Sequence, residues 1–211
     1  EAESSLFGDM GTMPYVSAWE AIGTIPLDPG QKLEVGGKWA DLLPSIPEGE
    51  NYLWHTDRKG GLPLFGWRTR YWSFLLKLSK RLPSWTIQAQ PGSAIGPFHW
   101  TNRKLSWQEM AAIQTFPKHF VIDAPRTEIQ RQIGNAVPSL MAEILAREIR
   151  SQVFGQETKG EPTLRIPRCT EIPEPELIQP VPEKYLLLKG EHEPHPGTGK
   201  GRSYRAGQSI L

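Results

Sequence analysis

The sequence predicts an α+β fold: a small twisted β-sheet with short helices, followed by a longer amphipathic helix. Three observations carry this. Two segments have the spacing of a helix-starting capping box, Ser17 with Glu20 and Ser106 with Glu109. Between Trp72 and Gln90 the apolar period is two rather than 3.6. From Leu140 to Val153 it returns to the helical period and forms a single stripe.

In chain order, Val16 and Ala21 flank the first capping box as a hydrophobic staple, and Gly23 ends a helix of about two turns. Lys38 to Leu43 can form another short helix before Pro44, and Glu50-Asn51-Tyr52 reads as an ordinary turn. Arg58-Lys59-Gly60-Gly61 and the run to Gly66 form a loop. Trp72, Phe74, Leu76 and Leu78 alternate with Ser73, Lys77 and Ser79, while Leu75 breaks the polar face. After a turn at Arg81–Ser84, Trp85, Ile87 and Ala89 alternate with Thr86, Gln88 and Gln90, which predicts a hairpin. Leu105 and Met110 staple the second capping box, and Phe116-Pro117 stops its helix. Pro138 starts the last helix, Glu143 and Arg147 pair on its polar side, and Gly155 caps it.

The formal net charge of +1 over 211 residues hides a local pattern. Arg58, Lys59, Arg68, Arg70, Lys77, Lys80, Arg81, Arg103 and Lys104 are interleaved with Trp67, Tyr71, Trp72, Trp85, His99 and Trp100. No Asp or Glu lies between Arg58 and Lys104. A charge run is usually a solvated face, but such faces mix signs. A one-signed, aromatic-laced stretch suits a surface that neutralises phosphates. On the second strand Gln88 and Gln90 can bond a base edge or neighbouring strands, and Thr86 a phosphate or a thymine methyl.

Mean hydropathy of −0.44 and 38% hydrophobic residues describe a soluble chain able to bury a core. One cysteine excludes an internal disulfide framework and fits a reducing compartment. No apolar run is long enough for a membrane span, and no signal peptide is visible. The five histidines show no metal-ligand spacing, and an HxE with CxxC is missing, which excludes a zinc deaminase. Beyond Gly155 prolines punctuate a segment that reads as extended or partly disordered, lying along a partner or a missing half of the protein. Gly197-Thr198-Gly199-Lys200-Gly201 departs from a phosphate loop at both ends, and solvated tail is the better reading.

Two stretches resemble the last two sequence blocks of the DNA cytosine-5 methyltransferases. The ninth block, approximately Arg-x-Leu-x-x-x-Glu-x-x-x-x-Gln-x-Phe-Pro, is matched by Arg103, Leu105, Glu109, Gln114, Phe116 and Pro117. The tenth, approximately Gln-x-Gly-Asn-[Ala/Ser]-Val-Pro, is matched by Gln132, Gly134, Asn135, Ala136, Val137 and Pro138. Both in order, at this separation, make a strong signal.

The resemblance implies a connecting scaffold at 1–50, a target recognition domain at 51–125, a returning block at 126–155 and a Pro-rich tail at 156–211. It implies that the returning helix packs on an α/β Rossmann-like methyltransferase domain that this chain lacks. Asn135 and Ala136 would line S-adenosylmethionine, although a capping or turn role for Asn135 is the plain alternative. Gly134 would allow close backbone approach there. Double-stranded DNA would be met by Arg58, Lys59, Arg68, Arg70, Thr86, Gln88 and Gln90, with Thr86 matching a threonine on the DNA backbone. Arg103 and Glu109 would hold the recognition domain together.

The family's Pro-Cys nucleophile loop, Glu-Asn-Val segment and Gly-rich cofactor loop are missing, so no catalytic residue is assigned. Glu50-Asn51-Tyr52 stands in the wrong place for the second, and Cys169 lies in the tail. The chain begins without Met and reads as a fragment, or as the smaller subunit of a split enzyme. The expectation is thus the recognition part of a restriction-modification methyltransferase of the bacterial cytoplasm and nucleoid, partnered by an N-terminal catalytic half and by no membrane. The rivals are a non-catalytic DNA-binding or regulatory module and a plain interaction domain.

Overall fold

The computed structural model describes residues 15–66, 70–169 and 171–190. Both capping boxes are formed. Ser17 caps α1 (Ala18–Ile22) and Ser106 caps α2 (Trp107–Ile113), each accepting from the glutamate backbone while the glutamate carboxylate accepts from the cap backbone. Ala40–Ser45 and Tyr52–His55 are short 3-10 helices. The second is capped by the Asn51 side chain, which accepts from the Leu53 N–H at 2.9 Å and donates to the Trp72 carbonyl at 2.8 Å.

A helix absent from the sequence reading, α3 (Arg126–Asn135), precedes α4 (Ser139–Phe154). Gly155 ends α4 in the left-handed conformation, φ 62°, which glycine adopts without the Cβ clash of other residues. Pro138 stands one position outside α4, as its N-cap.

The hairpin expected over 72–90 does not form as such. Among the described residues β pairing is limited to two isolated bridges, Phe74 with Ile95 and Lys77 with Phe98. The reason lies at Leu75, which takes φ 54° and turns the chain, with its N–H donating to the Ala94 carbonyl. This costs backbone strain for a residue with a Cβ, but it puts five successive residues, Phe74 to Leu78, into the interior. Phe74 and Leu75 enter one core with Leu42, Ile46, Tyr52 and Phe98. Leu78 enters a second with Ile22, Trp100, Met110 and Ile133. Segment 18–46 therefore packs in the same cores as 52–133.

Two glycines mark close crossings. A Cβ on Gly96 would stand 2.2 Å from the Leu76 carbonyl oxygen, and one on Gly134 would stand 2.6 Å from the Ala89 Cα and N. In this structure the approach that Gly134 allows is to the chain's own 88–89 backbone. Packing of α3 against that segment is completed by Gln130, whose amide donates to the Gln88 carbonyl at 3.2 Å.

Along its described part the tail lies on this chain itself. Glu143 accepts from the Thr163 and Leu164 N–H groups at 2.7 and 3.1 Å. Gln179 donates to the Pro44 carbonyl, and α5 (Glu183–Leu186) buries Tyr185 in a near-parallel stack on Trp39, 5.7 Å between rings. The phosphate-loop-like 197–201 segment lies outside the described residues.

Candidate nucleic-acid interface

The one-signed stretch divides into interior and surface cations. Lys77 is buried and its ammonium donates to the Ile46 carbonyl. Burial pulls its pKa down to about 8 against the opposing pull of Glu48 and Glu176. Lys80 is equally buried, 3.1 Å from the Glu48 carboxylate and 2.8 Å from that of Glu176. Arg103 forms a bidentate pair with the buried Glu109 at 2.7 and 2.8 Å. Arg81 pairs with Glu174 at 2.7 Å and Lys59 with Glu50 at 2.9 Å, both exposed enough to exchange readily for phosphate. The counter-charges all come from outside 58–104, so the lack of acids there reflects pairing in space as well as a basic surface.

Of the residues assigned to DNA, Arg58 is exposed, as are Arg70, Thr86 and Gln90. Arg70 places its guanidinium 5.6 Å from the centre of the Phe74 ring. Gln88 is half-buried and its amide donates to the Ser73 hydroxyl at 2.9 Å, so the second of its open readings, a bond to neighbouring chain, is the one formed. Arg68 lies outside the described residues. Trp72 and Trp85 meet edge to face, 5.7 Å between ring centres, beside the exposed Thr86.

Gln88 and Gln90 also line a groove of about 550 Å³ with Lys104, Arg126, Gln130 and Arg131. The last three were missed from sequence because α3 was missed; Ile129 and Ile133, one helical turn apart and both buried, were the available signal. Arg126 donates to the Leu105 carbonyl at 2.6 Å, and burial lowers its pKa with Glu109 opposing.

The ninth and tenth blocks meet through Gln114 and Thr115. The Gln114 amide donates to the Ile133 carbonyl at 3.1 Å, its own carbonyl accepts from Ser139 at 3.0 Å, and the Thr115 hydroxyl accepts from the Leu140 N–H at 2.8 Å. These bonds fix the α3–α4 turn, at which Asn135 and Val137 are exposed and Ala136 is half-buried. Asn135 can offer its amide to a ligand there. None of the three lines the groove.

Along α4 not one residue is buried: Met141, Ile144, Leu145, Ile149 and Val153 are 44–69% exposed. Cys169 is exposed, with its thiol 3.1 Å from the Glu171 carbonyl. Among the described residues there is no cluster that could hold a metal ion and no helix long and apolar enough to cross a membrane.

Residues 63–151 match the family of C-5 cytosine-specific DNA methylases. The chain is 41% identical over 170 residues to the type II methyltransferase M.SacI of Streptomyces achromogenes, covering 76% of this chain and 44% of the relative. It is 34% identical over 147 residues to the type II methyltransferase M.NgoFVII of Neisseria gonorrhoeae, covering 67% and 38%. A shorter match, 36% identical over 69 residues, covers 32% of this chain and 15% of the DNA (cytosine-5-)-methyltransferase M.ApeKI of Aeropyrum pernix. No solved structure matches. The chain thus spans less than half the length of these relatives. Residues 63–151 are thus similar to the C-5 cytosine-specific DNA methylases, and M.SacI and M.NgoFVII are named type II methyltransferases.

Proposed function

We propose that this chain is the DNA-recognition and cofactor-pocket-completing part of a DNA (cytosine-5)-methyltransferase of restriction-modification type. The whole enzyme transfers a methyl group from S-adenosylmethionine to a flipped cytosine in double-stranded DNA, and a catalytic half outside this chain supplies the nucleophile. The observation that carries the reading is the α3–α4 region. A turn with the tenth-block sequence, exposed at Asn135 and Val137, stands at the foot of a helix whose apolar stripe from Met141 to Val153 is 44–69% exposed. Such a face needs a protein surface to cover it. The α/β methyltransferase domain is the proposed cover.

In that assembly Asn135 and Ala136 form one edge of the cofactor site. The cofactor supplies the methyl group; this chain's residues hold and orient. Arg103 and Glu109 brace α2 against the 99–104 turn and keep the recognition surface in place. Arg58, Lys59 and Arg70 neutralise phosphates, and Thr86 and Gln90 are free to bond the duplex.

Incubating the purified chain with labelled S-adenosylmethionine and cytosine-containing duplex tests this. No label should reach DNA until the catalytic half is added. Label transferred by the chain alone, and lost in Cys169→Ala, would overturn the proposal.

A further inference from the structure

Trp72 is 54% exposed and Trp85 41%, whereas Trp100 in the core is 3% exposed. Both outer indoles sit on fixed mounts. The Trp72 carbonyl is held by Asn51 at 2.8 Å, the neighbouring Ser73 hydroxyl by Gln88 at 2.9 Å, and Ile87, two residues after Trp85, is buried. The edge-to-face contact at 5.7 Å orients the rings without covering them. Tyr71, the neighbour of Trp72 in sequence, is 82% exposed.

Two outward apolar surfaces thus differ in kind. The α4 stripe is aliphatic and suits protein packing. The Trp72–Trp85 patch is aromatic and lies two residues from the exposed Arg70. Flat π-faces beside a cation fit nucleobases, because every base has a face to stack.

We propose that Trp72 and Trp85 form a stacking site for an unstacked nucleobase of the bound DNA. This rests on the DNA-recognition reading above. A base inside an intact duplex is already covered on both faces, so the site gains only where a base is displaced from the stack.

The test uses the 211-residue chain and three labelled duplexes of one sequence, with affinities read by fluorescence anisotropy. One duplex is fully paired, one carries a single extra unpaired base, and one carries an abasic nucleotide at that same bulge. The base-bearing bulge should bind roughly five- to a hundredfold tighter than the abasic one. Trp72→Leu with Trp85→Leu keeps apolar bulk but removes the π-faces. It should abolish that discrimination while leaving paired-duplex affinity and its salt dependence unchanged. If the double variant does not unfold cooperatively, Trp72→Leu alone serves with the same outcomes. Equal binding of the two bulges by the unaltered chain, or discrimination surviving in the variant, overturns the stacking site and leaves DNA recognition standing. Failure to bind any of the three duplexes removes both.

Discussion

At the residue scale, Glu109 gathers much of the polar interior. Its buried carboxylate accepts two bonds from Arg103 and one from the Ser106 N–H, and His99 Nε2 lies 3.7 Å away. His99 Nδ1 accepts from the Thr101 N–H at 3.1 Å, which places the ring proton on Nε2 and leaves the imidazole neutral. Burial first, then Arg103 and Lys80, pulls the His99 pKa down to about 3. The unfolded chain takes up a proton at this ring below about pH 6.5, while the folded chain does not. Stability is therefore full above about 6.5 and falls as the pH drops towards about 3, by up to about 1.4 kcal/mol per unit. Burial also lowers the pKa of His55, which adds to the same slope. Urea unfolding at two pH values in this window measures the slope, and His99→Gln should flatten it by one proton's worth. An unchanged slope in that variant would mean the folded ring titrates normally.

At the scale of the element, Gly134 decides how α3 sits. Helix propensity alone would make Gly134→Ala stabilising by roughly 1 kcal/mol. The added Cβ would meet backbone atoms of Ala89 at 2.6 Å, and backbone cannot rotate aside as a side chain can. Overpacking should therefore win, with a net loss of about 1–3 kcal/mol in chemical denaturation. A stabilised variant would show that α3 is free to shift from the 88–89 segment.

Other elements differ in how openly the sequence shows them. The capping boxes of α1 and α2, the Gly155 cap and the Glu143–Arg147 pair at 2.9 Å were legible because each depends on residues within four positions. The 72–90 stretch was not. Its alternation is real, but Leu75 follows a tertiary demand, the filling of a core by residues from 42 to 98, and local period carries no record of that. The basic stretch misled in the same way. Lys77 and Lys80 read as surface because their acids, Glu48 and Glu176, stand 29 to 32 and 96 to 99 positions away. Arg126 and its groove stayed hidden for lack of α3.

At the scale of the whole molecule, the chain closes one side on itself and leaves another open. The tail binds along the closed side: Glu174 and Glu176 hold Arg81 and Lys80, Glu143 holds the 163–164 backbone, and Tyr185 fills a core. On the open side the α4 stripe contributes nothing to either core. A 16-residue helix is marginal without a packed face, and its register here is set by the Gln114 and Thr115 bonds at its start. Changing that face should therefore separate folding of this chain from assembly. Ile144→Glu with Ile149→Glu puts charge on residues 44% and 54% exposed, so the unfolding free energy should shift by no more than about 0.5 kcal/mol per site. In the presence of the catalytic half the same change should abolish complex formation and methyl transfer, because two carboxylates would be buried without partners. Denaturation of the chain alone and size-exclusion of the mixture give the two readouts. A variant that unfolds alone would mean that α4 packs within this chain. One that folds and still assembles would remove α4 from the interface.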